Sequence, residues 1–139
     1  ANVSIVGRDT GALAAVKGEI EALGVRANAI AADLFTAEGC SRAVDETGAA
    51  FGGVDILVNN ASTTVGGTLE TLTDDQLMER LQGKTLAYMR CSRAMLPWLR
   101  KAGGGRVICI GGAAGGGQDL AAQRARQFLD HRLREAFQQ

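Results

Sequence analysis

What most constrains this chain is a repeated alternation. Short apolar, β-branched runs recur, each followed by a segment whose apolar residues return every three or four positions. "VSIVG" (Val3–Gly7) is the first run. Asp9 or Thr10 can cap the segment after it, where Leu13, Val16, Ile20 and Leu23 share one helix face closed by Gly24. "VRANAIAAD" (Val25–Asp33) is the second run, and Thr36 opens a helix with Cys40, Val44 and Phe51 inward, ending at Gly52 and Gly53. "VDILVNN" (Val54–Asn60) is the third, followed by a polar loop, "STTVGG" (Ser62–Gly67). Thr73 and Gln76 have the spacing of a capping box for the longest helix, which runs towards Pro97. "RVICI" (Arg106–Ile110) is the last apolar run. Nearly wholly apolar strands alternating with helices predict an α/β fold, a parallel sheet with helices on both faces.

At 139 residues the chain is one domain, short for an α/β enzyme carrying both a cofactor half and a substrate half. It starts without methionine, directly in a strand, which reads as a fragment or a processed chain. Lys plus Arg and Asp plus Glu are 15 each, so no field for nucleic acid or an anionic membrane is implied. Cys40, Cys91 and Cys109 are far apart, and the single histidine, His131, has no evident partner and reads as a surface residue. A zinc site or disulfide framework is not expected, and a reducing cytoplasm fits. No apolar run has membrane-spanning length. The 19 glycines are roughly twice the average share, so tight turns and close backbone approaches are expected.

In open parallel sheets ligands bind beyond the carboxyl ends of the strands. Those ends are Arg8, Asp33, Asn59 to Ser62, and Gly111 onward. "GRD" (Gly7–Asp9), "AADL" (Ala31–Leu34) and "GGVDILVNNAS" (Gly52–Ser62) stand there in register. "RAMLPWL" (Arg93–Leu99) then leads into "GGGRVICIGG" (Gly103–Gly112). Together these stretches resemble the short-chain dehydrogenase/reductase family from about Val3 to Gly115, with "DILVNNA" the most specific piece. The resemblance implies a Rossmann-like parallel sheet, a nicotinamide dinucleotide, a small carbonyl or alcohol substrate, and a homo-oligomer assembled through the helix Thr73–Lys101.

Family roles carry over residue by residue. Arg8 lies where the family reads the adenosine ribose; arginine there fits the 2′-phosphate of NADP, with NAD the other possibility. The plain alternative is a solvated arginine at a strand end. Asp33 and Leu34 resemble the segment at the adenine, although Asp33 also suits a helix-capping role. Asn59, Asn60 and Ala61 resemble the segment flanking the adenine ribose, and Ser62 replaces the glycine usual there. Asn59 is equally suited to bridging neighbouring strands.

The departures from the family are as informative. Its glycine-rich pyrophosphate turn belongs before Val3, on a strand between those beginning at Val3 and Val54, so an incomplete sheet with a gap is expected. The catalytic serine falls at Gly112, and no tyrosine follows Tyr88 and no lysine follows Lys101. At the family's asparagine position in the long helix stands Lys84, on a stripe with Leu77, Leu81, Tyr88, Cys91 and Met95. Lys84 is thus a candidate cation for a substrate carboxylate or a proton relay, or a snorkelling side chain. The glycines Gly111 to Gly117 do not meet the phosphate-loop pattern, lacking the Lys-Ser/Thr pair. Residues 1–117 are therefore expected to form a partial Rossmann-type NAD(P)-binding domain. Residues 118–139 are expected to form an amphipathic helix, either a docking segment or the product of a shifted frame or deletion. Two functions remain open at this point: a reductase stretch without its full catalytic set, and a non-catalytic nucleotide-binding or subunit-association module.

Overall fold

A computed structural model describes residues 1–62 and 70–111. Most of the loop Ser62–Gly67, the position Gly112, the boundary at residue 117 and the tail 118–139 lie outside the described residues. The elements run β1 (Val3–Gly7), α1 (Thr10–Ala22), β2 (Ala27–Ala31), α2 (Ala37–Phe51), β3 (Ile56–Asn59), α3 (Asp74–Arg80), a π-helical segment (Leu81–Leu86), α4 (Ala87–Ala102) and β4 (Arg106–Cys109).

Local chemistry sets most of these boundaries. Asp9, not Thr10, caps α1, its Oδ1 accepting from the Ala12 N–H at 3.0 Å. Thr36 Oγ1 accepts from the Gly39 N–H at 2.9 Å and starts α2. Gly52 ends α2 at φ 79°, a left-handed conformation that glycine adopts without strain. Thr73 and Gln76 form the reciprocal capping box of α3. Pro97 lies inside α4 rather than ending it.

The strands form two parallel pairs among the described residues, β1 with β2 and β3 with β4, and β1 does not bond to β3. The expected gap is therefore present, and the sheet is incomplete. Residues Asn2–Cys109 make one compact unit. Within this unit the core lies where α2 packs on α4 over β3. Cys40, Ala87 and Cys91 form one buried cluster, and Val44, Val54 and Met95 form another.

Some expectations are corrected. Val16 and Leu23 are exposed on α1, because β1 and β2 offer too little surface to cover the whole helix face. Leu77 and Leu81 are also exposed, and the buried row reads Gly83, Ala87, Cys91 and Met95 instead. The cause is the π-helical segment: a π turn takes up an extra residue, so a stripe counted at uniform α spacing slips across it. On β3, Ile56 and Val58 are 57% and 40% exposed, so one face of this apolar strand is uncovered.

Candidate functional site

The carboxyl ends of β1 and β2 leave the sheet side by side. Gly7 is in register with Ala31, and the Ala32 N–H donates to the Gly7 carbonyl at 2.9 Å. Arg8 and Asp33 follow immediately, both exposed. The Arg8 guanidinium lies 5.8 Å from the centre of the Phe35 ring. A groove of about 320 Å³ runs along β1 and the start of α1, lined by Ile5, Val6, Leu13 and Val16 and including Arg8 and Asp9. Its lining is mostly apolar, which suits a flat ring or an apolar side chain better than a phosphate.

The turn after β2 is tightly built. Asp33 Oδ1 accepts from the Phe35 N–H at 3.0 Å, and the Asp33 carbonyl accepts from Thr36 Oγ1 at 3.0 Å. Asp33 thus closes an Asx-type turn, while Thr36 is the cap. A β-carbon on Gly39 would run into the Asp33 carbonyl, so glycine is what lets α2 approach the turn. The half-buried Leu34 gives its carbonyl to the Cys40 thiol at 3.2 Å. Arg90, on α4, donates to the Phe35 carbonyl at 2.7 Å.

At the other strand pair, Asn59 is 5% exposed. Its Nδ2 donates to Ser92 Oγ at 3.3 Å and to Cys109 Sγ at 3.7 Å. This side chain braces β3, β4 and α4, the structural half of the two roles open to it. Asn60, Ala61 and Ser62 follow on the exposed exit of β3.

Lys84 is half-buried in the π-helical segment, with Nζ 5.9 Å from the centre of the Tyr88 ring. Burial, and secondarily the nearby Cys109 thiol, push the Tyr88 phenol above its ordinary value of 10.0. Tyr88 therefore keeps its proton at neutral pH and can donate a hydrogen bond, but it is not a base there. Among the described residues no group of His, Cys, Asp and Glu could hold a metal ion.

The structure thus brings Arg8, Asp33 and Leu34 to one strand end, and Asn59 to Ser62 to another. Sequence reasoning missed Phe35, Arg90 and Ser92. Phe35 was signalled only by its place beside Leu34, and the other two become visible only when α4 is laid against its neighbours.

Comparison with known proteins identifies the family. The family model for short chain dehydrogenases matches residues 1–124. The ketoacyl reductase HetN of Nostoc sp. is 30% identical over 115 residues, covering 83% of this chain and 40% of the relative. The structure of L-sorbose reductase from Gluconobacter frateurii, complexed with NADPH and L-sorbose, matches with a TM-score of 0.72 at 32% identity, over 78% of this chain and 41% of that one. A 7α-hydroxysteroid dehydrogenase complexed with NADH matches with a TM-score of 0.76 at 25% identity, over 90% of this chain and 51% of that one. The chain thus spans about half, or less, of the length of the proteins it matches. With the strand order, the "DILVNNA" stretch and these matches in agreement, the chain belongs to the short-chain dehydrogenase/reductase family.

Proposed function

We propose that this chain is the nucleotide-reading stretch of a reductase that moves hydride between NADP(H) and the carbonyl or alcohol group of a small substrate. The observation that carries the reading is Arg8 beside Asp33 at paired strand ends. A guanidinium offers several N–H donors and a permanent charge, which suits a 2′-phosphate through charge-assisted bonds. The relatives include one structure complexed with NADPH and one with NADH, so cofactor choice is a matter of individual residues. Asp33 and Leu34 would hold the adenine, and Asn60, Ala61 and Ser62 would flank its ribose, with Asn59 behind them as the brace. The dinucleotide, when bound, supplies the hydride.

The same reading makes the stretch catalytically incomplete. Gly112 carries no hydroxyl, and no Tyr-x-x-x-Lys occurs between Gly112 and Gln139. Lys84 would act as a cation for a substrate carboxylate or a proton relay, with its Nζ 5.9 Å from the centre of the Tyr88 ring. Exposed Leu77, Met78, Leu81, Met89 and Leu96 on α3, the π-helical segment and α4 favour a homo-oligomer through these helices. They equally favour the second reading, a subunit-association module without catalysis. Among the described residues no helix is long and apolar enough to cross a membrane. The wide sequence spacing of Cys40, Cys91 and Cys109 fits a cytoplasmic setting, and the proposed domain division remains residues 1–117 and 118–139.

Calorimetric titration with NADP⁺ and NAD⁺ tests the reading. NADP⁺ should bind more tightly, and Arg8→Ala should remove the difference; superimposable curves for the unaltered chain would defeat it. Carbonyl-dependent NADPH oxidation should stay at background. Turnover that disappears in Lys84→Met would show instead a complete, rewired catalyst.

A further inference from the structure

An exposed arginine is a poor selector if it must be ordered each time a ligand arrives, because its long side chain surrenders rotamer freedom. Arg8 is exposed, yet its guanidinium stands within cation–π reach of the Phe35 ring, at 5.8 Å. A guanidinium held by its face keeps its N–H donors, which lie in its plane, available for phosphate oxygens. A carboxylate partner would instead consume those donors and cancel the charge. One oxygen of each neighbouring carboxylate is engaged within the backbone: Asp9 Oδ1 caps α1 through the Ala12 N–H, and Asp33 Oδ1 holds the Phe35 N–H.

The backbone that carries the ring is well anchored. Phe35 is half-buried, and its backbone is gripped on both sides, by Asp33 at the N–H and by Arg90 at the carbonyl. Arg90 reaches across 55 residues of sequence from α4, so the aromatic is tied both to the turn after β2 and to the helix that carries the core.

We propose that Phe35 is a positioning residue: a fixed aromatic platform, braced by Arg90, that holds Arg8 ready for the 2′-phosphate of an adenosine ribose and so sharpens selection of that ligand. This rests on the cofactor reading of Arg8 and adds to it a residue that touches no ligand atom.

The experiment titrates the full chain with adenosine 2′,5′-bisphosphate and with adenosine 5′-monophosphate, and follows the Arg8 side-chain protons by NMR. In the unaltered chain, ring current should move the Arg8 δ-methylene and Nε–H signals upfield of their random-coil positions. Phe35→Leu should abolish that shift and lower the preference for the bisphosphate about threefold, the scale of an exposed cation–π contact. Phe35→Tyr should keep both. If Arg8→Ala removes the preference but Phe35→Leu leaves it intact, the platform is wrong and the cofactor reading survives. If Arg8→Ala changes nothing, or neither nucleotide binds, the cofactor reading fails and takes the selectivity role with it. Random-coil shifts for Arg8 in the unaltered chain overturn the platform without any variant having to fold.

Discussion

The two strand pairs of this molecule are built on different terms. Around β3 the helices α2 and α4 meet over a continuous apolar interior, in which Cys40 and Met95 are fully buried. Around β1, by contrast, α1 buries only Leu13, and every residue of the strand is partly exposed. Mechanical support comes from the first region, while the second displays Arg8, Asp33 and Phe35 at strand ends. Side chains that read a ligand must be reachable, and reachable side chains contribute little to folding free energy. Stability and selectivity should therefore respond to different substitutions.

The largest effect should come from Met95→Ala, which empties space among Val44, Val54 and Trp98. It should cost about 2–5 kcal/mol in urea unfolding; a loss no greater than that of a surface substitution would break the contrast. Next is Gly48→Val on α2, where a β-carbon would run into the Trp98 ring. Overpacking should outweigh the gain in helix propensity and leave a net loss of about 2 kcal/mol. Trp98 fluorescence will show whether the ring has been displaced.

The buried thiols sharpen the comparison through pH. Burial, followed by the neighbouring Cys40 thiol, pushes the Cys91 thiol above its ordinary value of 9.0. The unfolded chain then releases this proton at lower pH than the folded chain does. Its contribution is complete below pH 9 and is lost as pH rises towards the folded value. Above pH 9 stability should therefore fall as pH rises, and Cys91→Ala should flatten that part of the slope. The smallest change belongs to the other region: Arg8→Ala should shift unfolding by no more than about 0.5 kcal/mol while altering nucleotide preference.

Sequence legibility follows the same division. The alternation of strands and helices and the caps at Thr36 and Thr73 could be read directly, because each depends on residues close in sequence, while the cap of α1 was narrowed only to Asp9 or Thr10. The outward turn of Leu77 and Leu81 could not, since a π segment is a tertiary outcome that changes helix register without marking the pattern. Nor could the open face of β3, because an apolar run states a need for cover and not whether cover arrives. At the site, Arg8, Asp33 and Asn59 were visible as strand-end residues. Their partners were not: Arg90 meets the Phe35 carbonyl, and Ser92 meets Asn59, only once α4 is packed.

The most direct test is a ¹⁵N–¹H correlation spectrum of the chain recorded during addition of NADP⁺. Amide shifts concentrated at Arg8, Asp33 to Phe35 and Asn60 to Ser62, with the α2–α4 interior unmoved, are the predicted result. Shifts confined to α3 and α4, or none at saturating nucleotide, would contradict the account.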